Sequence, residues 1–149
     1  MKTLLLIVVS FAFYPSLAQT TGNDDTAVRG VVNQLFEGMK KVDSTMLKTL
    51  FTSSARLQTV LSNQGDVSIK DEAIGMFISS VGKAKMGALD ERMTGIDIKI
   101  DGELATAWTP YAFYYNGQQR HCGANAFTLI KLGGVWKIYN IIDTRRKCL

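Results

Sequence analysis

The chain contains one histidine, His121, and its ordinary pKa lies close enough to neutrality to make it the natural proton-transfer residue if the protein does chemistry. Arg92 could bind a carboxylate, phosphate or enolate oxygen through its planar fork, or pair with Asp90 or Asp143. Asn125 and Asn140 fall on an otherwise apolar face, where amides need partners that a ligand, water or backbone could supply. Trp108 offers a flat surface with one donor, suited to stacking or to plain core contact. No carboxylate or histidine spacing suggests a metal, and there is no glycine-rich phosphate loop and no nucleophile elbow, so no cofactor is expected.

These residues sit in a run rich in aromatic and β-branched side chains, divided into three strand lengths by Asn116-Gly117 and Gly133-Gly134. Two-residue turns there place Trp108 opposite Asn125, Ala112 opposite His121, Asn125 opposite Ile142 and Phe127 opposite Asn140. Trp108, His121, Asn125 and Asn140 then share a face with Phe127, Trp136 and Ile138. For Ile96, Ile98 and Ile100 to join that face the preceding connection must be Asp101-Gly102-Glu103, which sets Arg92 opposite Ala112, beside His121. A bulge in these strands would shift the assignment. The opposite face carries Ala105, Ala107, Ala124 and Ala126 beside Tyr111, Phe113, Tyr115 and Tyr139, a flat surface suited to a second subunit; Tyr111 is also counted among the candidate ligand contacts.

The preceding residues are helical in period. Asp24 or Asp25 can cap a helix carrying Val28, Val31, Val32, Leu35, Met39 and Val42, after a disordered leader from Gln19 to Asn23. Asp43 and Ser44 restart a shorter helix with Met46, Leu47, Leu50 and Phe51 inward. Arg56 to Leu61 and Asp66 to Ile69 form short strands, and a third helix buries Ala73, Ile74, Phe77, Ile78 and Val81. Helices followed by a long meander indicate an α+β fold.

At the N-terminus Lys2, an uncharged run from Leu4 to Phe13 and the small residues Ser16 and Ala18 have the order of a secretory signal peptide spanning residues 1–18. The run is too short to span a bilayer as a stop-transfer helix. The mature chain from 19 to 149 is one domain's worth, and without Lys2 it has 16 basic and 13 acidic side chains, a net charge of +3. The basic residues are scattered apart from Arg145-Arg146-Lys147, so nucleic acid is not an expected partner. Export to the periplasm or medium favours a disulfide between Cys122 and Cys148 over free thiols.

With its N-terminal helices and a meander ending in Gly134-Val135-Trp136-Lys137-Ile138, nearly the whole mature chain resembles the nuclear transport factor 2-like superfamily, which includes SnoaL-like cyclases, ketosteroid isomerases and scytalone dehydratase. Asp90-Glu91-Arg92, Trp108 with Pro110-Tyr111, His121-Cys122-Gly123 with Asn125, and Ile142-Asp143-Thr144-Arg145-Arg146 resemble the exported group labelled putative lumazine-binding proteins. The resemblance implies helices packed on a strongly bent antiparallel sheet, a homodimer, and Asp90 or Glu91 orienting His121. The fold hosts enzymes, carriers and assembly domains alike. Three functions are therefore weighed: a domain binding an aromatic or amphipathic small molecule through Arg92, Trp108, Tyr111, His121, Asn125 and Asn140; a cofactor-free lyase or isomerase with His121 as base, Asp90 beside it and Arg92 at an oxyanion; and a dimeric assembly domain without catalysis.

Overall fold

The computed structural model describes residues 21–63 and 65–148; the signal-peptide reading of residues 1–18 lies outside them. Helices α1 (Thr21–Lys41) and α2 (Ser44–Leu50) lead directly into β1 (Phe51–Asn63) and β2 (Asp66–Glu72), then α3 (Ile74–Gly82). Five strands follow: β3 (Leu89–Met93), β4 (Asp97–Asp101), β5 (Leu104–Tyr115), β6 (Gln118–Leu132) and β7 (Val135–Thr144). They form one curved, unclosed sheet in the order β2-β1-β7-β6-β5-β3, with β4 also paired to β5. The sheet is antiparallel except that β1 runs parallel to β7, a pairing that adds the first hairpin to the meander.

The helices lie in the concave side because each has one apolar stripe to bury. From α1, Val28, Val32, Leu35, Phe36 and Met39 are buried, and the Phe36 ring meets Phe127 edge-on at 6.1 Å. Helix α1 begins earlier than its acidic residues suggest. Asp24, in its first turn, accepts from Lys131 Nζ at 2.7 Å and Trp136 Nε1 at 3.0 Å, fastening the helix to the β6–β7 hairpin.

Asp43 caps α2 by accepting from Met46 N at 2.8 Å. Just before it, Asp43 N–H donates to Gly38 O and Val42 N–H to Met39 O, the bonding pattern of a Schellman C-cap. Its left-handed position is held by Val42 at φ 60°, where a β-branched side chain is strained. Val42→Gly should therefore raise stability by about 1 kcal/mol, a rise of roughly 4 °C in Tm, measured by thermal unfolding.

Two extra residues change the register expected of the meander. The Asn116-Gly117 turn, at φ 50° and 79°, pairs Tyr115 with Gln118 and Tyr114 with Gln119, but Arg120 is then unpaired and Phe113 faces His121. Beyond it Thr109, not Trp108, lies opposite Asn125, and Ala112 lies opposite Cys122. On β7 Tyr139 is the extra residue, so Thr128 faces Asn140 and Asn125 faces Asp143. Each bulge reverses the side on which later residues point. Ala105 and Ala107 are accordingly buried on the concave side, opposite Ile100 and Ile98 of β4 across a two-residue turn at Gly102-Glu103.

Candidate functional site

A row of polar side chains crosses four neighbouring strands at one level of the concave face. Thr59 pairs with Asp143, Asp143 with Asn125, and Asn125 with Thr109, and these four are 0 to 6% exposed. Burial at that depth requires partners, and the row supplies them. Thr59 Oγ1 donates to Asp143 Oδ1 at 2.6 Å and accepts from Arg145 Nη2 at 3.2 Å. Asp143 Oδ2 accepts from Tyr111 OH at 3.1 Å and from Arg145 Nε at 3.0 Å. Asn125 Nδ2 donates to Glu91 Oε1 at 2.8 Å and to Thr109 Oγ1 at 3.2 Å, which leaves its carbonyl oxygen for another donor.

Toward one end of the sheet a second row runs Glu91, Phe113, His121 across β3, β5 and β6. The His121 ring lies 5.0 Å from that of Phe113 and 5.7 Å, edge-on, from that of Tyr111. Burial and the Arg145 charge outweigh the pull of Asp143 and lower the His121 pKa, so at neutral pH the ring is uncharged, with one donor and one acceptor. Burial pushes the Glu91 carboxyl up to about 7, against the Asn125 hydrogen bond and with the Asp143 charge adding to the rise. Tyr111 is raised by burial and by the Asp143 and Glu91 charges, and stays a phenol.

Asn125 and Asp143 of the first row and all three residues of the second face a cavity of about 460 Å³ between the sheet and the helices. Leu35, Phe36 and Met39 of α1, Phe77 and Val81 of α3, and Leu57, Leu89 and Ile141 of the sheet make its apolar wall; Glu91, Tyr111, His121, Asn125, Asp143 and Arg145 make its polar side, and Glu72, Ser80 and Lys83 line it beside α3.

Of the residues singled out in the sequence, the structure brings together His121, Asn125 and Tyr111. Tyr111 is inward, not on the outer face. Trp108 points the other way and is 51% exposed, and Asn140 lies on the same outer side, both reversed by the bulges. Arg92 does pair with Ala112, but the shift puts that pair on the outer side; its guanidinium stacks 4.0 Å from the Tyr114 ring centroid and binds Asp90. Asp90 is buried beside Lys40 Nζ at 3.1 Å and Arg92 Nη2 at 2.8 Å. Burial opposes its ionisation, but the hydrogen bonds from Arg92 and Lys40 prevail and hold its pKa low. Neither Asp90 nor Arg92 lines the cavity, whereas Glu91 and Arg145 do.

Sequence reasoning named Glu91 only as an alternative to Asp90 and Asp143 only as a partner for Arg92, read Arg145 as part of a basic cluster at the C-terminus, and missed Thr59 and Thr109. Alternation across Asp90-Glu91-Arg92 was the available signal, since one side of that triplet must face inward when the other faces out.

Cys122 and Cys148 are joined, with Sγ atoms 2.12 Å apart. Among the described residues no group of histidine, cysteine or carboxylate side chains is arranged to hold a metal, and no helix is long and apolar enough to cross a membrane.

The family model described as putative lumazine-binding matches residues 23–142. The chain belongs to this family. No curated protein sequence matches it. Solved structures similar to it have the nuclear transport factor 2-like fold. One is a protein of unknown function from Shewanella baltica, with 20% identity and a TM-score of 0.67 over 87% of this chain and 99% of that one. Another is a putative dehydratase from Streptomyces avermitilis, with 12% identity and a TM-score of 0.67 over 87% and 100%. A third is a putative scytalone dehydratase from Novosphingobium aromaticivorans, with 13% identity and a TM-score of 0.67 over 87% and 89%. At these identities the likeness is one of fold, and the family's helices-on-sheet architecture is the one described above.

Proposed function

We propose that this member of the putative lumazine-binding family is an exported protein that holds an aromatic or amphipathic small molecule in the concave cavity. The observation that carries the reading is a cavity of ligand size whose apolar walls meet a polar cluster on the sheet, with Glu72, Ser80 and Lys83 lining it beside α3. A ring system would lie against Phe36, Met39 and Phe77 while its polar edge meets Asn125, Glu91 and His121. The disulfide supports export, because such bonds persist in oxidising compartments. The outer face of β5, where Trp108 is 51% and Leu104 50% exposed, supports a homodimer.

One experiment tests both parts. Mature chain from Gln19 is screened by thermal shift against flavins, pteridines, steroids and aromatic acids; a ligand at 100 times its Kd should stabilise the fold by about 2.7 kcal/mol. His121→Ala and Asn125→Ala should abolish the response. Trp108→Ala should keep it while weakening the dimer in light scattering. A response lost with Trp108 and kept without Asn125 would place binding elsewhere.

A second reading has its own observation: an ionisable carboxyl near neutrality and an uncharged imidazole stand on either side of Phe113, an arrangement suited to moving a proton in a lyase or isomerase. It predicts turnover of a bound ligand with a bell-shaped pH profile, in which Glu91→Gln removes one limb. Binding without turnover at any pH would sink it.

A further inference from the structure

After β7 the backbone continues alongside β6 in the same antiparallel register. Cys122 N–H donates to Arg146 O at 2.9 Å and Arg146 N–H to Cys122 O at 2.8 Å, an isolated antiparallel bridge. Two residues later the chain is joined covalently to the same Cys122, with the Cα atoms 5.0 Å apart. Arg145 lies between the end of β7 and this pin, in no strand of its own. It nevertheless lines the cavity, with Nε on Asp143 and Nη2 on Thr59.

Its side chain is held by these two hydrogen bonds and its backbone is flanked by the Arg146–Cys122 pair. Its ion pair with Asp143 is half exposed on the arginine side, and such pairs hold weakly; the side chains of Arg146 and Lys147 are exposed. The disulfide adds the covalent restraint to a segment otherwise held by that single backbone pair.

We propose that the Cys122–Cys148 disulfide is a positioning element of the cavity: by pinning the tail at Cys122 it holds the Arg145 guanidinium against Asp143 and Thr59, and the polar side of the cavity has this form only in the oxidised protein. A dithiol that opens the bond passes two electrons and two protons to the sulfurs, leaving two cysteine thiols and the oxidised reagent, and frees Arg145. The effect on a ligand rests on the binding reading above; the effect on Arg145 does not.

His121 reports it, being the only histidine, so its ring C–H signals can be titrated by NMR without ambiguity. The groups acting on it are Arg145 and Asp143 from the end of β7, with Tyr111 and Phe113 against its ring and Glu91 beyond Phe113. Departure of Arg145 removes a positive charge, unmasks Asp143 and admits water, and all three act upward on His121. Cys148→Ser and Arg145→Gln should each move the titration to higher pH, Arg145→Lys should retain most of the native value, and the double variant should move no further than either single one.

Insertion of two glycines between Arg145 and Arg146 slackens the tether while keeping the bond, and should raise His121 in the same way even if Cys148→Ser folds poorly. A His121 titration unmoved by the slackened tether, or by Cys148→Ser in protein that has merely become easier to unfold, overturns the proposal. Any ligand found in the screen should bind more weakly after reduction with dithiothreitol. If no ligand binds the oxidised protein the binding reading fails, while the His121 shift still decides the role of the disulfide.

Discussion

Gly123→Ala is expected to destabilise the protein by on the order of 4 kcal/mol, a large part of the 5–15 kcal/mol that holds a domain folded. A Cβ there would stand 1.8 Å from Thr144 O and 2.9 Å from Tyr111 Cε1. The first contact is with backbone, which cannot swing aside as the end of a side chain can. Tyr111 passes over Gly123, its partner across β5 and β6, to reach Asp143 Oδ2 and Thr144 O. Relieving the clash therefore means parting the end of β7 from β6 and breaking both Tyr111 hydrogen bonds. Gly30→Ala is the control, since a Cβ in that part of α1 meets nothing within 4 Å and should stabilise by up to about 1 kcal/mol. Urea unfolding of the two variants gives the comparison. A Gly123→Ala midpoint close to wild type would mean that Tyr111 does not lie across the glycine.

The elements of this fold were legible because they rest on local signals. Asp43 is a cap by its own side chain, the α1 stripe repeats at helical spacing, and Asn116-Gly117 makes its turn wherever the strands lie. The site was only half legible because it depends on where two single residues are added to long strands. Arg120 and Tyr139 carry no turn signal; both are exposed, and either would sit equally well in an ordinary pair. His121, Asn125 and Phe127 kept their side because they alternate along β6 itself. Residues read across a turn changed side when a bulge intervened, which moved Trp108 and Asn140 out and brought Thr109 and Asp143 in. One trace of the second bulge was present: the buried series Trp136, Ile138, Ile141, Asp143 steps by three where a strand should step by two, but Ile142 beside Ile141 hides the break.

Glu91→Gln is expected to be more stable than wild type by about 2 kcal/mol at pH 8 and no different at pH 4. In the unfolded chain Glu91 loses its proton near the ordinary value of 4.5, whereas the folded protein keeps it until about 7. Below 4.5 both states are protonated and the carboxyl is neutral to stability. Between 4.5 and 7 only the folded state holds the proton, so the carboxyl's stabilising share falls as pH rises and its full cost is reached above 7. The whole difference converts to about 3 kcal/mol, and the partial exposure of the side chain reduces it toward 2. Glutamine keeps an oxygen for Asn125 Nδ2 and has no proton to lose. Urea unfolding of both proteins at pH 4, 6 and 8 measures the difference, and one that is constant with pH would show that Glu91 ionises freely in the fold. A carboxyl retained where its amide is more stable has a use that stability does not explain. If Glu91→Gln gains stability and loses the ligand response in the thermal screen, that use is in the cavity.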